Sequence, residues 1–320
     1  MSLLATPATL PEADPSGPED RVGDAARVVK SAYGTDMSFA EVTYEKGYHA
    51  AAHVHPHERL VYVANGSLSV FFGGKEYRLD AGDFLNIPRL TPHWEVVRGE
   101  AGSRTYECSS PPDRTPGSFG LFGPDEPAPD ISEAPTLWLD PIYAEAGEDS
   151  DLASDDDDVW YGPVRKVKES VHKTLPGTGR LTSFFVYGEH SNLMLATRGS
   201  GYHSRPHTHA CEQFNVLLAG NLWIFVKDKG YLLHAGDFFR VPKSTLHWAW
   251  NDGDSDSVLL EAHSPVLDPA SKSNAVALIP DHRRPLVESV MNLFARIDRP
   301  MDEEAMKSAG QAELNADRHS

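Results

Sequence analysis

The residues of this chain best suited to chemistry are two pairs of closely spaced histidines, each followed by a third far along the sequence. His53 and His55 are two apart, and so are His207 and His209. On an extended strand, residues two apart point to the same face, so each pair presents two imidazoles side by side. His93 and His247 each lie 40 residues after the first histidine of their set, at the start of a β-rich run and soon after a proline. Three neutral ring nitrogens gathered from two strands make a facial donor set for a divalent first-row metal, with other positions left open.

The two sets belong to a repeat. Gly47–Trp94 laid on Gly201–Trp248, with no gap and an offset of 154 residues, is identical at about 20 of 48 positions. Ten of the 15 histidines fall inside these two segments. Two copies of one unit imply one fold built twice, with a possible metal site in each. Within each copy, short β-rich runs alternate with turn residues. In Leu60–Phe72 two such runs flank Asn65-Gly66, a strong hairpin signal, and its twin turns at Ala219-Gly220-Asn221. Strands dominate, so an all-β barrel or jelly roll is the expected class.

The repeat sets the expected organisation. Residues 1–25 are rich in Pro, Ala and acids and read as a poorly ordered segment. One barrel is expected over 26–112, an acidic and Pro-rich connector over 113–158, a second barrel over 159–270, and a C-terminal helix and tail over 271–320. The helix follows Pro285, where Leu286, Val290, Leu293 and Ile297 recur at helical spacing. Two cysteines, Cys108 and Cys211, sit at unrelated positions of the two copies, so the repeat gives no reason to pair them. Two free thiols in a reducing compartment are the simple reading, with Cys211 a small buried filler.

Charge narrows the partners. The formal net charge of −18 argues against nucleic acid and against anionic membranes, which are bound through Lys and Arg. Much of it sits in EAGEDSDLASDDDD, residues 145–158, a solvated linker by composition. No apolar run approaches the roughly 20 residues needed to span a bilayer, and the N-terminus lacks the basic-then-apolar pattern of a secretory signal. A cytoplasmic location, a small-molecule substrate and a monomer or homodimer are the expectations.

The motif residues resemble those of the cupin family. The first copy shows Gly47, His53, His55 and Gly66, then Gly82, Pro88 and His93; the second shows Gly201, His207, His209 and Gly220, then Gly236, Pro242, His247 and Asn251. The resemblance covers most of both units. It implies a bicupin, two tandem double-stranded β-helix (jelly-roll) barrels, similar to quercetin 2,3-dioxygenases. The departures matter as much. Where the family places a glycine in the second motif, this chain has Leu90 and Ser244. Where the family places its carboxylate ligand, it has Arg59 and Gln213. Glu58 and Glu212 each stand one residue earlier, and on a regular strand one step reverses the face, so a bulge would be needed to aim them inward. Arginine has no lone pair for a cation, whereas glutamine can ligate through its amide oxygen. The resemblance thus implies that the second barrel holds metal with His207, His209, Gln213 and His247. The first barrel has His53, His55 and His93, with Glu58 or Arg59 in the fourth place.

A donor set with no anion leaves a divalent ion its full charge and makes it a strong Lewis acid. Fe(II) is the first expectation, with Mn, Ni, Cu or Zn as alternatives. The expected reaction is a dioxygenation in which an enolisable or phenolic substrate, flavonol- or diketone-like, meets O2 at the metal, with Glu212 or His203 taking the substrate proton. A redox-neutral isomerase, lyase or cyclase is the alternative, and a non-catalytic small-molecule-binding bicupin a third. His49 and His203 share the ligand parity, and His57 is placed in an exposed turn.

Overall fold

The computed structural model describes residues 23–73, 75–112, 180–202, 204, 207–226 and 229–266, together with seven short strands of two to four residues outside these ranges. His203 and the expected helix at 286–297 lie outside the described residues, as does nearly all of the acidic connector.

Among the described residues, each half forms one barrel built on nine principal strands, with the short strands paired at the sheet edges. In the first half these are β1 (Arg27–Tyr33), β2 (Ser38–Tyr44), β3 (His53–Val54), β4 (Glu58–Asn65), β5 (Ser67–Phe72), β6 (Lys75–Asp80), β7 (Phe84–Ile87), β8 (His93–Val96) and β9 (Ser103–Ser110). In the second half they are β10 (Leu181–Tyr187), β11 (Asn192–Arg198), β12 (His207–His209), β13 (Glu212–Ala219), β14 (Asn221–Val226), β15 (Lys229–His234), β16 (Phe238–Val241), β17 (His247–Trp250) and β18 (Ser257–Ser264). One sheet of the first barrel runs β7-β4-β9-β2-β1 and the other β3-β8-β5-β6, and the second barrel repeats both orders with its own strands. The all-β, tandem jelly-roll class expected from the repeat is the class observed.

Turn chemistry fixes the registers. Gly66 turns the β4–β5 hairpin at φ 77° and Gly220 turns its twin at φ 75°. Asp83 accepts the Asp80 amide at 2.8 Å and Asp237 accepts the His234 amide at 2.8 Å, closing the turns before β7 and β16.

Alternation along β4 shows how the two barrels join. Arg59, Val61 and Val63 face the interior of their own barrel, whereas Glu58, Leu60 and Tyr62 face the other barrel. One apolar cluster therefore runs through both halves, with Met37, Phe39 and Leu60 packed with Leu193, Phe214 and Leu260. Phe39 lies 6.1 Å from Phe214 and 5.6 Å from Phe238, centroid to centroid. The junction follows the 154-residue offset: Ser110 and Ser264, equivalent in the repeat, share a hydrogen bond of 2.9 Å. A sheet covered on both faces explains why β4 and β13 are buried nearly throughout, their polar residues included.

Glu58 and Glu212 lock this junction, which corrects two sequence expectations. Glu212, only 1 % exposed, accepts the amides of Thr35 at 2.9 Å and Asp36 at 3.0 Å and pairs with Arg240. Glu58 reciprocally accepts the amides of Glu189 at 2.5 Å and His190 at 2.9 Å, and the Ser191 hydroxyl at 2.7 Å. Each carboxylate sits against a glycine of the opposite barrel; a Cβ on Gly188 would lie 2.6 Å from Glu58 Oε2. Glu58 is therefore not in the fourth ligand place, and Glu212 is not the base of the second centre. No bulge re-aims them, so the period of the strand sends both out of the barrels.

Candidate metal centres

The ladder brings the histidines together. His53 pairs directly with His93, and His207 with His247. In the first barrel the ring centroids of His53, His55 and His93 stand 4.3 to 5.3 Å apart. In the second, those of His207, His209 and His247 stand 4.4 to 5.1 Å apart. In each set, one donor atom per histidine lies within 4.8 Å of the others.

The backbone fixes the ring orientations. The Nδ1 atoms of His53 and His93 lie 2.8 and 2.7 Å from the carbonyls of Ala51 and Thr91, and that of His247 lies 2.9 Å from the Thr245 carbonyl. An Nδ1–H donated to a carbonyl leaves the lone pair on Nε2, directed at the centre, although that of His93 is met by Arg59. In the second barrel the Nε2 atoms of His207 and His209 are 3.0 Å apart. Two adjacent ligands on one ion, each about 2.1 Å from it, would be separated by about 3.0 Å. The donor set therefore fits a divalent ion.

Burial favours the neutral form of His53, His93 and His247. It pushes the His53 pKa down to about 3, with the Arg59 guanidinium adding to the effect. His93 is lowered by burial and then by Arg59, and His247 by burial and then by His207 and His209. The neutral form is the one that can ligate.

The two turns that depart from the family pattern carry the same backbone bend. Leu90 and Ser244 adopt positive φ, 56° and 57°, where glycine costs least. Their amides donate to the carbonyls of His55 and His209, each at 2.8 Å, tying the turn to the second histidine of each set.

The fourth position differs between the barrels. In the second, Gln213 donates its amide nitrogen to Glu261 at 2.6 Å and Asn215 at 2.8 Å. Its Oε1 is buried and has no hydrogen-bond partner. A buried amide oxygen so placed needs a partner, and a cation would provide one. Glu261 is itself held by Arg198 at 2.5 Å.

In the first barrel Arg59 takes the equivalent position and points into the centre. Its Nη2 lies 3.0 Å from His93 Nε2 and also donates to Glu95, while its Nη1 lies 3.5 Å from Glu107. Glu107 in turn accepts from the Tyr44 hydroxyl at 2.9 Å and the Thr105 hydroxyl at 2.8 Å. A cavity of about 90 Å³ opens beside this centre, lined in part by Arg27, His55, His57 and Arg59.

Two site residues escaped sequence reasoning, and a third was misplaced. Glu95 follows His93 by two positions and shares its face, a parity the sequence offers; its counterpart in the repeat is Ala249, so comparing copies hid it. His263, opposite Gln213 on β18, has its ring 5.9 Å from that of His209 and its Nδ1 3.1 Å from Asn192 Nδ2. Its counterpart is Ser109, so the repeat hid this one too. His57, expected in an exposed turn, is instead buried, 4 % exposed and stacked on His55 at 4.8 Å. Burial and then Arg59 push its pKa down to about 4. Cys211 is buried and its thiol is pushed up to about 12 by burial, which suits an inert filler. His49 bridges Val96 through its backbone. Trp94 and Trp248 stack on Phe71 and Phe225, at 5.1 and 4.9 Å.

Among the described residues, no helix is long and apolar enough to cross a membrane. The cupin-domain family model matches residues 40–106 and 195–263, once in each barrel. No curated protein matches the chain at a significant level. Among solved structures, an oxalate decarboxylase of Lactobacillus farciminis, in a formate complex, is similar with a TM-score of 0.60 at 14 % identity, over 96 % of each chain. The Bacillus subtilis oxalate decarboxylase, described for its Mn(II) centres, is similar with a TM-score of 0.60 at 14 % identity, over 94 % of this chain and 88 % of that one. AerE from Microcystis aeruginosa is similar with a TM-score of 0.53 at 16 % identity, over 74 % of this chain and 92 % of that one. At such identities the likeness concerns the fold. The fold of this chain is that of two cupin barrels in tandem.

Proposed function

We propose that this chain is a metal-dependent enzyme whose working centre is His207, His209, His247 and Gln213 in the second barrel. The observation that carries the proposal is the buried Gln213 Oε1, left without a partner while both neighbours of its amide nitrogen are protein acceptors. A divalent ion bound there, Fe(II) first and then Mn, Ni, Cu or Zn, supplies Lewis acidity and open positions for a deprotonated substrate oxygen and O2.

The chain's own residues do the rest. The Thr245 carbonyl holds the His247 ring, and Glu261 with Asn215 holds Gln213 in one rotamer. Trp248, 1 % exposed and stacked on Phe225, walls one side of β17 with apolar surface. Glu212 serves the barrel junction, so His203 is left as the proton acceptor for a substrate enol or phenol. The proposed reaction is a dioxygenation of a small enolisable or phenolic substrate.

A redox-neutral isomerase, lyase or cyclase is the second reading. The absence of any anion in the second donor set favours it, since such a set polarises a carbonyl without redox tuning. Two of the similar proteins are also named as decarboxylases. An oxygen electrode separates the readings. Incubation of the Fe(II)-loaded protein with a panel of flavonols, β-diketones and catechols should show O2 uptake with the wild type and none with His247→Ala. Turnover that continues without air selects the redox-neutral reading. Substrate binding without turnover in either condition would leave only a binding role and refute the enzyme.

A further inference from the structure

The first barrel holds a carboxylate that neither the repeat nor the matched motif positions place there. Glu95 is 1 % exposed and sits on the interior face of β8, two residues after His93. Its Oε1 lies 3.8 Å from His93 Nε2 and its Oε2 lies 3.9 Å from His53 Nε2. Any two ligand atoms on one ion, each about 2.1 Å from it, stand no more than about 4.2 Å apart. The separation of His53 Nε2 from Oε2, the oxygen that Arg59 does not hold, falls inside that limit. Glu95 Oε2, His53 Nε2 and both ring nitrogens of His55 are buried and have no hydrogen-bond partner. A buried carboxylate oxygen facing buried imidazole lone pairs is unfavourable, because all are acceptors. A cation placed among them satisfies Glu95 Oε2, His53 Nε2 and the one ring nitrogen of His55 that bears a lone pair, the other carrying the ring's proton.

Arg59 sets the terms. Its guanidinium donates to Glu95 Oε1 and contacts His93 Nε2 at 3.0 Å, so it stands at the edge of the same space. Its other amino group reaches toward Glu107 at 3.5 Å, and Glu107 is held by Tyr44 and Thr105. This arrangement gives the guanidinium a second anchor, away from His93.

We propose that the first barrel binds a divalent metal through His53, His55, His93 and Glu95, with Arg59 withdrawn from His93 onto Glu107 while still holding the outer oxygen of Glu95. The fourth ligand thus comes from the third histidine's own strand, and the residue in the family's carboxylate position becomes its orienting partner. The two barrels then carry centres of different charge, one compensated by a carboxylate and one with neutral donors alone. The inference rests on the reading of these barrels as metal-binding, but concerns a different site from the proposed working centre.

The test uses the full chain with His207→Ala and His247→Ala, which removes the second centre, and Mn(II) itself as the probe. Free Mn(II) is followed by its solution electron paramagnetic resonance signal during titration. One ion should bind, and Glu95→Gln should weaken that binding at least tenfold, the scale seen on disturbing even residues that merely orient a ligand. Glu95→Asp, which keeps the charge and the Arg59 pair but shortens the reach, should weaken it by a smaller factor and leave a measurable site. Unchanged affinity in both variants overturns the inference and makes Glu95 only the counter-ion of Arg59. Absence of first-barrel Mn(II) binding, with second-barrel binding intact in a His53→Ala, His93→Ala protein, also overturns it while sparing the proposed function.

Discussion

Replacing Glu212 by alanine should weaken the union of the two barrels without touching either metal centre. In the structure this carboxylate satisfies the Thr35 and Asp36 amides at 2.9 and 3.0 Å and pairs with Arg240, at 1 % exposure. Each of these part-buried donors left without an acceptor costs about 1–2 kcal/mol. The Arg240 side chain is 20 % exposed, so water recovers part of its loss. The sum is about 4 kcal/mol, within the range for breaking one partner of a buried ionic network. At an m-value of about 3 kcal/mol/M in urea this lowers the unfolding midpoint by roughly 1.3 M, readable from tryptophan fluorescence. Metal content and turnover per folded molecule should remain those of the wild type. A variant of wild-type stability that has lost its metal or its turnover would refute the reasoning and return Glu212 to the active centre.

Three further outcomes are expected. Leu90→Gly should raise stability by about 0.5–1 kcal/mol, because Leu90 holds φ at 56° while 59 % exposed, and relief of that strain exceeds the backbone entropy glycine loses on folding; a lowered urea midpoint would contradict it. The metal-free protein should lose stability as pH falls from about 6.5 toward 4. His57, with a folded pKa of about 4, then binds its proton only in the unfolded chain, which contributes a loss of about 1.3 kcal/mol between pH 7.5 and 5.5. His57→Gln should flatten the urea midpoint's pH dependence by that amount, and an unchanged slope would argue against the buried neutral ring. Gln213→Glu should keep the second-barrel metal and alter its reactivity with O2; loss of that metal on elemental analysis would remove Gln213 from the ligand set.

Much of this architecture was legible because the chain states it twice. The 154-residue offset aligned the histidines, the hairpin glycines and the turn aspartates, and the structure places each pair alike. Period-two alternation also foretold that Glu58 and Glu212 leave the barrel. What it could not say is where they go, since their partners at 189–191 and 35–36 lie more than 130 residues away. Residues that break the repeat were the ones missed. Glu95 faces Ala249 in the comparison and His263 faces Ser109, so neither stood out as shared. His57 was misplaced because a turn position reads as exposed, whereas here the turn packs against His55 and lines the cavity. Contacts across strands, unlike spacing within one, leave no trace in a single sequence.

The central claim is that three histidines gather on one cation, in the second barrel by the proposed function and in the first by the further inference. The most direct measurement is elemental analysis of protein purified without chelators, comparing the wild type with His53→Ala, His93→Ala and with His207→Ala, His247→Ala. Two transition-metal ions per chain, falling to one in each double variant, is the predicted result. A wild type that carries no transition metal and takes up none on reconstitution, or a metal content that neither double variant lowers, would contradict it.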